Sequence, residues 1–360
     1  MGQVYPSAKP SPRSIFENWE ALFNEANALA KRGLWEQASL LFLDYTRRRR
    51  RPGAAHPGAL PDFKTTAVKK LKLDRDQLSY LLDDGVVGPE FMPYLNIFDA
   101  LLNAVPAGED RIIQLPPQAA GQLAPIYNRL VHLEPAERLK DGALSSHLDG
   151  TAIEAAYFAS TPGWTVLDDF LKPEALATLR TYFLKSTIWF NIDYANGAVQ
   201  AQYQEGFHCP LLLQIADELR ALLPRLLGDN PLESFWAFIY DQAFPAFKPH
   251  IDYAAVQANF WLTPDEACME PEEAGLVIWD QKIPADWRID KYGTDHGRQG
   301  RIQDFITTEK PKNHKIKYRC NRLVLFDSHL IHGSGHGHFS DGYENRRINT
   351  TLLYGKPDEG

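Results

Sequence analysis

The stretch Phe247-Lys-Pro-His250-Ile-Asp252-Tyr253 decides how the rest of this chain is read. In extended backbone, side-chain direction repeats every two residues, so His250 and Asp252 leave the same face and can reach one ion. Such a pair is weak evidence by itself, because many solvated loops carry it. A metal reading needs a third donor elsewhere in the sequence.

The segment Leu323-Val-Leu-Phe-Asp-Ser-His329-Leu-Ile-His332-Gly-Ser-Gly335 supplies one. An apolar strand there runs into a polar, glycine-bearing exit, where a β scaffold usually places functional groups. Two histidines and one carboxylate cover one face of an octahedral Fe(II) ion and leave the remaining positions exchangeable. Either His329 or His332 can turn inward; the place of His332 at the end of the segment favours it. His336 and His338 follow in a glycine-rich loop and are read as solvent or substrate contacts rather than a second metal site.

The last strand reads Glu344-Asn-Arg346-Arg347-Ile-Asn349-Thr-Thr351-Leu-Leu-Tyr354. Arg347, Asn349 and Thr351 share one face. An arginine buried inside a β structure is costly unless it meets an anion, and its planar fork matches a carboxylate. Arg347 is therefore the candidate carboxylate binder, and Arg346 is expected to face outward as a surface or rim charge.

Around these motifs, strand-like runs at 235–240, 256–262, 276–279, 323–326 and 348–354 alternate with long glycine- and proline-bearing connections. The pattern predicts a compact β-sandwich or small barrel rather than a βαβ fold. No GxGxxG or GxxxxGK[ST] motif supports a nucleotide-binding core. Before about Trp164 the periodicity is mainly helical, with 136–160 mixed and unassigned. Trp19, Leu22, Phe23, Ala26 and Leu29 form one stripe, and Trp35, Ala38, Leu41, Phe42 and Tyr45 another, with Gly33 between them. Further helices are predicted over 63–102 and 119–130, with no chemistry assigned to them. The expected organisation is a mainly helical accessory region over 1–160 and a catalytic β domain over 161–360, an α+β chain overall. Five consecutive arginines, Arg47 to Arg51, read as a helix C-terminus leading into a linker.

Composition narrows the function classes. A formal net charge of -8 does not mark a nucleic-acid binder. Cys209, Cys268 and Cys320 form neither a CxxC pair nor a disulfide framework, and no apolar run reaches membrane-spanning length. The expectation is a soluble, cytoplasmic protein; the start MGQVYPS is only a weak lipidation signal.

Taken together, these residues resemble the 2-oxoglutarate/Fe(II)-dependent dioxygenases, in the branch containing prolyl hydroxylase-like catalytic domains. The resemblance runs from about Trp164 to Tyr354. It is carried by Val166-Leu-Asp-Asp-Phe-Leu-Lys-Pro-Glu-Ala175, the aromatic strand ending at Tyr240, His250-Ile-Asp252, the run from Asn321 to His332, and Arg347-Ile-Asn349. It implies a double-stranded β-helix (jelly-roll) fold and Fe(II) held by His250, Asp252 and His332, which are also the catalytic set. It further implies that Arg347 binds the distal carboxylate of the co-substrate 2-oxoglutarate, with Tyr240 and Asn349 assisting. Asp252 argues against a halogenating relative, which needs a small residue at that position.

Three departures from the family pattern stand out. Ala274-Gly275 replaces a paired glycine, the connection from His332 to Arg347 is long, and 280–313 is a long charged insertion containing Trp287, Arg288, Tyr292, His296 and Arg298. The insertion is expected to act as a lid or substrate reader. The implied reaction is hydroxylation of an aliphatic C–H with release of succinate and CO2, desaturation or cyclisation being the alternative outcomes; a ligand-binding β-sandwich is the non-enzymatic alternative. Substrates implied are amino-acid-like small molecules or peptide side chains. Nucleic acid is not expected, since Leu353 stands where the demethylase branch carries a further arginine. The pair of N-terminal helices, through Ala26, Gly33-Leu34-Trp35, Ala38 and Phe42, also resembles a single tetratricopeptide repeat. It is expected to buttress the catalytic domain, bind peptide or support a homodimer.

Overall fold

The computed structural model describes residues 12–52, 65–105, 112–161, 163–192, 197–284 and 296–356. The helical half comprises α1 (Pro12–Lys31), α2 (Trp35–Arg49), β1 (Thr65–Ala67), α3 (Val68–Asp83), α4 (Met92–Asn103), β2 (Ile112–Gln114), α5 (Pro117–Leu123) and α6 (Gly150–Ala159). Then follow β3 (Trp164–Leu167), α7 (Pro173–Lys185), β4 (Ala198–Gln202), α8 (Pro210–Leu222), α9 (Pro224–Leu227), β5 (Leu232–Tyr240), β6 (Ala243–Phe244), β7 (Val256–Trp261) and β8 (Leu276–Lys282). The chain continues through α10 (His296–Glu309), β9 (Asn313–Ile316), β10 (Leu323–Asp327), β11 (Leu330–Ser334), β12 (Gly337–His338) and β13 (Ile348–Tyr354).

Helices begin where the sequence supplies a start. Proline occupies the first turn of α5, α7 and α8, where its missing N–H is no loss. Asp149 caps α6 by accepting from the Ala152 amide at 3.1 Å. Between α1 and α2 the chain turns at Gly33, whose φ of +73° a side chain would disfavour. Ala26 and Ala38 are fully buried there, and their small size lets the two helices approach closely. The expected helix over 119–130 stops at Leu123, because Pro125 cannot continue it.

The large sheet is six-stranded and antiparallel, in the order β3-β10-β7-β13-β5-β4. Period-two alternation divides its side chains into two layers. One face, with Ala258, Phe260, Ile348, Leu352, Phe235 and Ile239, joins α7 and α8 in a core that also takes in Ala30, Trp35 and Phe42 from the N-terminal helices. The opposite face, with Phe238, Tyr240, Trp261, Val324 and Phe326, packs on Leu276, Ile278, Ile316 and Leu330 of the smaller sheet β11-β8-β9. At Gly275 a Cβ would lie 1.8 Å from the Ile316 carbonyl oxygen, so glycine allows β8 and β9 to meet there.

The insertion over 280–313 contains α10. Ile302 is buried in a cluster with Ile251 and Ile331, against which Trp279, Phe305 and Ile306 also pack. This part of the insertion braces the back of the sheet. Trp287, Arg288 and Tyr292, on which the lid expectation drew, lie outside the described residues, as do the side chains of His296 and Arg298. Among the described residues no helix is long and apolar enough to cross a membrane.

Candidate metal and carboxylate site

His250 and His332 form an isolated antiparallel bridge, each amide donating to the other's carbonyl at 2.9 Å. The Asp252 amide donates to Ser328 O at 3.3 Å and the Phe247 amide to Ser334 O at 2.9 Å, so the 247–252 stretch runs beside β11. The pairing of β11 with β8 shifts register between Leu330 and His332, an irregularity of the kind that re-aims a side chain. Alternation then sends Ile251 and Ile331 back toward α10 and leaves the polar residues on the other side.

His250, Asp252 and His332 each offer one ligand atom, and those atoms all lie within 4.8 Å of one another. His332 Nε2 is 3.4 Å from Asp252 Oδ2. Metal bonds of ~2.1 Å place neighbouring ligands on an octahedral ion ~3 Å apart, so this spacing suits a shared cation.

The imidazoles are set up in the same way. His250 Nδ1 lies 2.9 Å from Lys248 O, and His332 Nδ1 lies 3.0 Å from Leu330 O. A carbonyl can only accept, so both rings carry their proton on Nδ1 and present a bare Nε2 lone pair. His332 Nε2 is buried and has no hydrogen-bond partner.

Electrostatics favour the same state. Burial, then the neighbouring His332, push His250 down to about 4, which leaves its imidazole neutral at ordinary pH. Burial pushes the Asp252 carboxyl up, but the contact with His332, the charge of His250 and a hydrogen bond from Gln257 outweigh it and hold the group below the usual carboxylate range. Phe326 lies 4.8 Å from the His332 ring and belongs to the same apolar cluster as Tyr240, Phe244 and Trp261, so the triad borders the inter-sheet core.

Arg347 enters that core from the large sheet. It is 1% exposed, and its Nε and Nη1 have no hydrogen-bond partner. Its guanidinium carbon lies 4.6 Å from the centre of the Tyr240 ring, 5.3 Å from Phe244 and 5.9 Å from Trp261. Ring contacts of this kind offset only about 0.5–2 kcal/mol, less than the several kcal/mol it costs to bury a lone cation. Among the described residues no carboxylate bonds to Nε or Nη1 of Arg347, and the fork of a carboxylate would match them. Asn349 shares the face, 3% exposed, with its Oδ1 unpartnered, and Trp261 Nε1 is unpartnered too.

Arg346 corrects the sequence reading. Rather than a surface charge it is 2% exposed, donating to Asp76 Oδ2 at 2.7 Å, Asp241 Oδ1 at 3.1 Å and Tyr240 O at 3.1 Å. His329 stays out of the triad, tied to Asp327 through its amide at 3.0 Å and Nδ1 at 3.1 Å. His336 and His338 are exposed. Sequence reasoning missed Gln257 and Asn259, whose buried carbonyl oxygens are unpartnered. The alternation Val256-Gln-Ala-Asn-Phe-Trp261 carried that signal, since it puts two amides on the inner face. A separate cavity of about 40 Å³ beside Lys70, Asp74, Asn128 and Trp189 holds none of these side chains. It has room for only about three waters.

No protein-family model matches this sequence, and no curated protein matches it. Among solved structures, the non-haem α-ketoglutarate-dependent epimerase SnoN from nogalamycin biosynthesis is similar over 58% of this chain and 84% of its own, with 16% identity and a TM-score of 0.42. HygX from Streptomyces hygroscopicus, with nickel and 2-oxoglutarate bound, covers 57% of this chain and 86% of its own at 13% identity and a TM-score of 0.39. A prolyl-4-hydroxylase from Pseudomonas putida is similar over 58% of this chain and 100% of its own, at 15% identity and a TM-score of 0.36.

Proposed function

We propose that this chain is an Fe(II)- and 2-oxoglutarate-dependent dioxygenase that hydroxylates an unactivated aliphatic C–H of an amino-acid-like small molecule or a peptide side chain. The observation that carries the reading is the pairing of two features in one fold. Two Nδ1-anchored histidines and a carboxylate converge, and a buried arginine with bare N–H groups enters the adjoining inter-sheet core.

His250, Asp252 and His332 would hold the ferrous ion, two neutral donors and one anion covering one face and leaving the others free. When bound, the iron and 2-oxoglutarate supply the oxidative chemistry, which consumes dioxygen and releases succinate and CO2. The protein's own part is orientation and exclusion. The Lys248 and Leu330 carbonyls fix both imidazole tautomers, Gln257 steadies the Asp252 carboxylate, and Arg347 receives the distal carboxylate of the co-substrate. Tyr240, Phe244 and Trp261 surround the Arg347 guanidinium and keep water from it, which strengthens that ion pair. Tyr240 contributes the face of its ring, and Asn349 adds a polar group on the same face.

Under this reading the two opposed sheets are the halves of a double-stranded β-helix, and the first 160 residues are a helical accessory region. Ala26 and Ala30 of α1 and Ala38 and Phe42 of α2 are buried inside this chain, which favours buttressing over peptide binding or dimerisation.

Anaerobic titration of the Fe(II)-loaded protein with 2-oxoglutarate tests the reading. A weak visible metal-to-ligand band should appear and saturate. Under oxygen, a substrate mass gain of one oxygen should then accompany succinate formation; a loss of two hydrogens would instead mark desaturation or cyclisation. A properly loaded protein that gives neither band nor succinate would be a ligand-binding β-sandwich.

A further inference from the structure

Arg346 and Arg347 are consecutive, and strand alternation sends them to opposite faces. A slip of one residue would exchange them, presenting the wrong guanidinium to the inter-sheet core. Nothing in the two side chains themselves decides between these registers. The pairing of β13 with β5 and β7 sets the register, and the partners of Arg346 hold its guanidinium on its own side of the sheet.

The two terminal nitrogens of Arg346 are engaged by two carboxylates and a carbonyl: Asp76 at 2.7 Å, Asp241 at 3.1 Å and Tyr240 O at 3.1 Å, while its Nε has no hydrogen-bond partner. Its own carbonyl accepts from Thr263 Oγ1 at 2.7 Å, and the same hydroxyl accepts from the Ile348 amide at 3.0 Å. The Arg347 carbonyl accepts from the Tyr240 amide at 3.0 Å. Two of these anchors are local to the large sheet. Asp76 is not: it stands on α3, 270 residues earlier, and also touches Arg75 Nη1 at 3.5 Å. A second α3 residue, Lys72, reaches the other carboxylate, Asp241, at 3.2 Å. The helical half thus supplies one of the two charges that neutralise Arg346 and grips the other.

We propose that Asp76 is a positioning residue for 2-oxoglutarate, acting through Arg346 to fix the aim of Arg347. This inference rests on the function proposed above. It makes α3 part of the co-substrate site although it touches no reacting atom.

The experiment compares D76N, D76E, R346K and R347M with the unaltered chain. 2-Oxoglutarate affinity is read anaerobically from the visible band of the Fe(II) protein, and metal affinity separately by Mn(II) titration of the metal-free protein. D76N should weaken 2-oxoglutarate binding about tenfold while leaving Mn(II) affinity within about twofold, as expected for loss of a group that orients another. D76E should recover part of the loss, and R346K, which cannot bridge both carboxylates and the carbonyl, should resemble D76N. If D76N does not fold, R346K carries the same test. Folded D76N or R346K with undiminished 2-oxoglutarate binding would overturn the inference, as would equal losses of metal and 2-oxoglutarate. Failure of the parent reading looks different: the unaltered chain gives no band, or R347M binds 2-oxoglutarate as well as it does.

Discussion

The rings of His250 and His332 stand with their centroids 4.3 Å apart across the bridge that joins their backbones. Each Nδ1 faces the carbonyl of the residue two positions earlier in the chain. The backbone that brings the histidines together therefore also dictates which nitrogen each one exposes. Preorganisation of this kind lowers the ordering cost when a metal binds.

Substitution of the ligands should separate His332 from its neighbour. H332A and D252A should each weaken Mn(II) or Fe(II) binding by at least about tenfold, whereas H329A should stay within about twofold. Equilibrium dialysis with metal analysis decides the point, and equal losses in H329A and H332A would dissolve the triad.

Arg347 makes a prediction with two signs. R347M should raise the 2-oxoglutarate requirement roughly thirtyfold or more, because losing one partner of a buried charge pair costs about 2–5 kcal/mol. The same change should leave the metal-free protein as stable or more so, since it removes a buried cation whose Nε and Nη1 lack partners. Thermal unfolding without ligand measures the second effect; a large destabilisation would show that the guanidinium already has its anion within the fold.

The pH dependence follows from His250. Its folded value near 4 lies below the ordinary 6.5, so between these values the unfolded chain binds more protons than the folded one. Stability of the metal-free protein should therefore rise with pH through that window and fall as pH is lowered from 7 toward 4.5. Asp252, held below the carboxylate range, contributes stability that is lost only at still lower pH. Urea midpoints across the range check this, and H250Q should flatten the slope.

Trp35 ties the helical half to the large sheet. Its indole N–H donates to Leu232 O at 2.8 Å, and its ring packs at 5.3 Å from Tyr203 and 5.4 Å from Phe235. W35A should cost about 3–5 kcal/mol, typical of a large aromatic removed from a core. A chemical denaturation curve shifted by less than about 1 kcal/mol would contradict that estimate.

The convergence of His250, Asp252 and His332 was legible in the sequence because strand periodicity put His250 and Asp252 on one face and because Leu323 to Gly335 ends in a polar exit. The inward placement of Arg347 was legible for the same geometric reason. Arg346 was misread because its partners are set by tertiary packing: no local pattern pairs it with an aspartate 270 residues away. The bracing role of α10 was half legible. Ile302, Phe305 and Ile306 have helical spacing, but the polar residues around them dilute the stripe, and nothing local names Ile251 and Ile331 as the surface it covers.

The continuity of the core beneath the large sheet has a consequence for any attempt to dissect the chain. Cutting near residue 160 would bare the flank of Phe235 that Trp35 shields, along with Tyr203, and would take away the carboxylate of Asp76. An isolated C-terminal half would therefore begin with a sticky flank and an under-neutralised Arg346 beside Arg347. Loss of turnover in such a fragment would speak of a broken scaffold before it spoke of a missing recognition module.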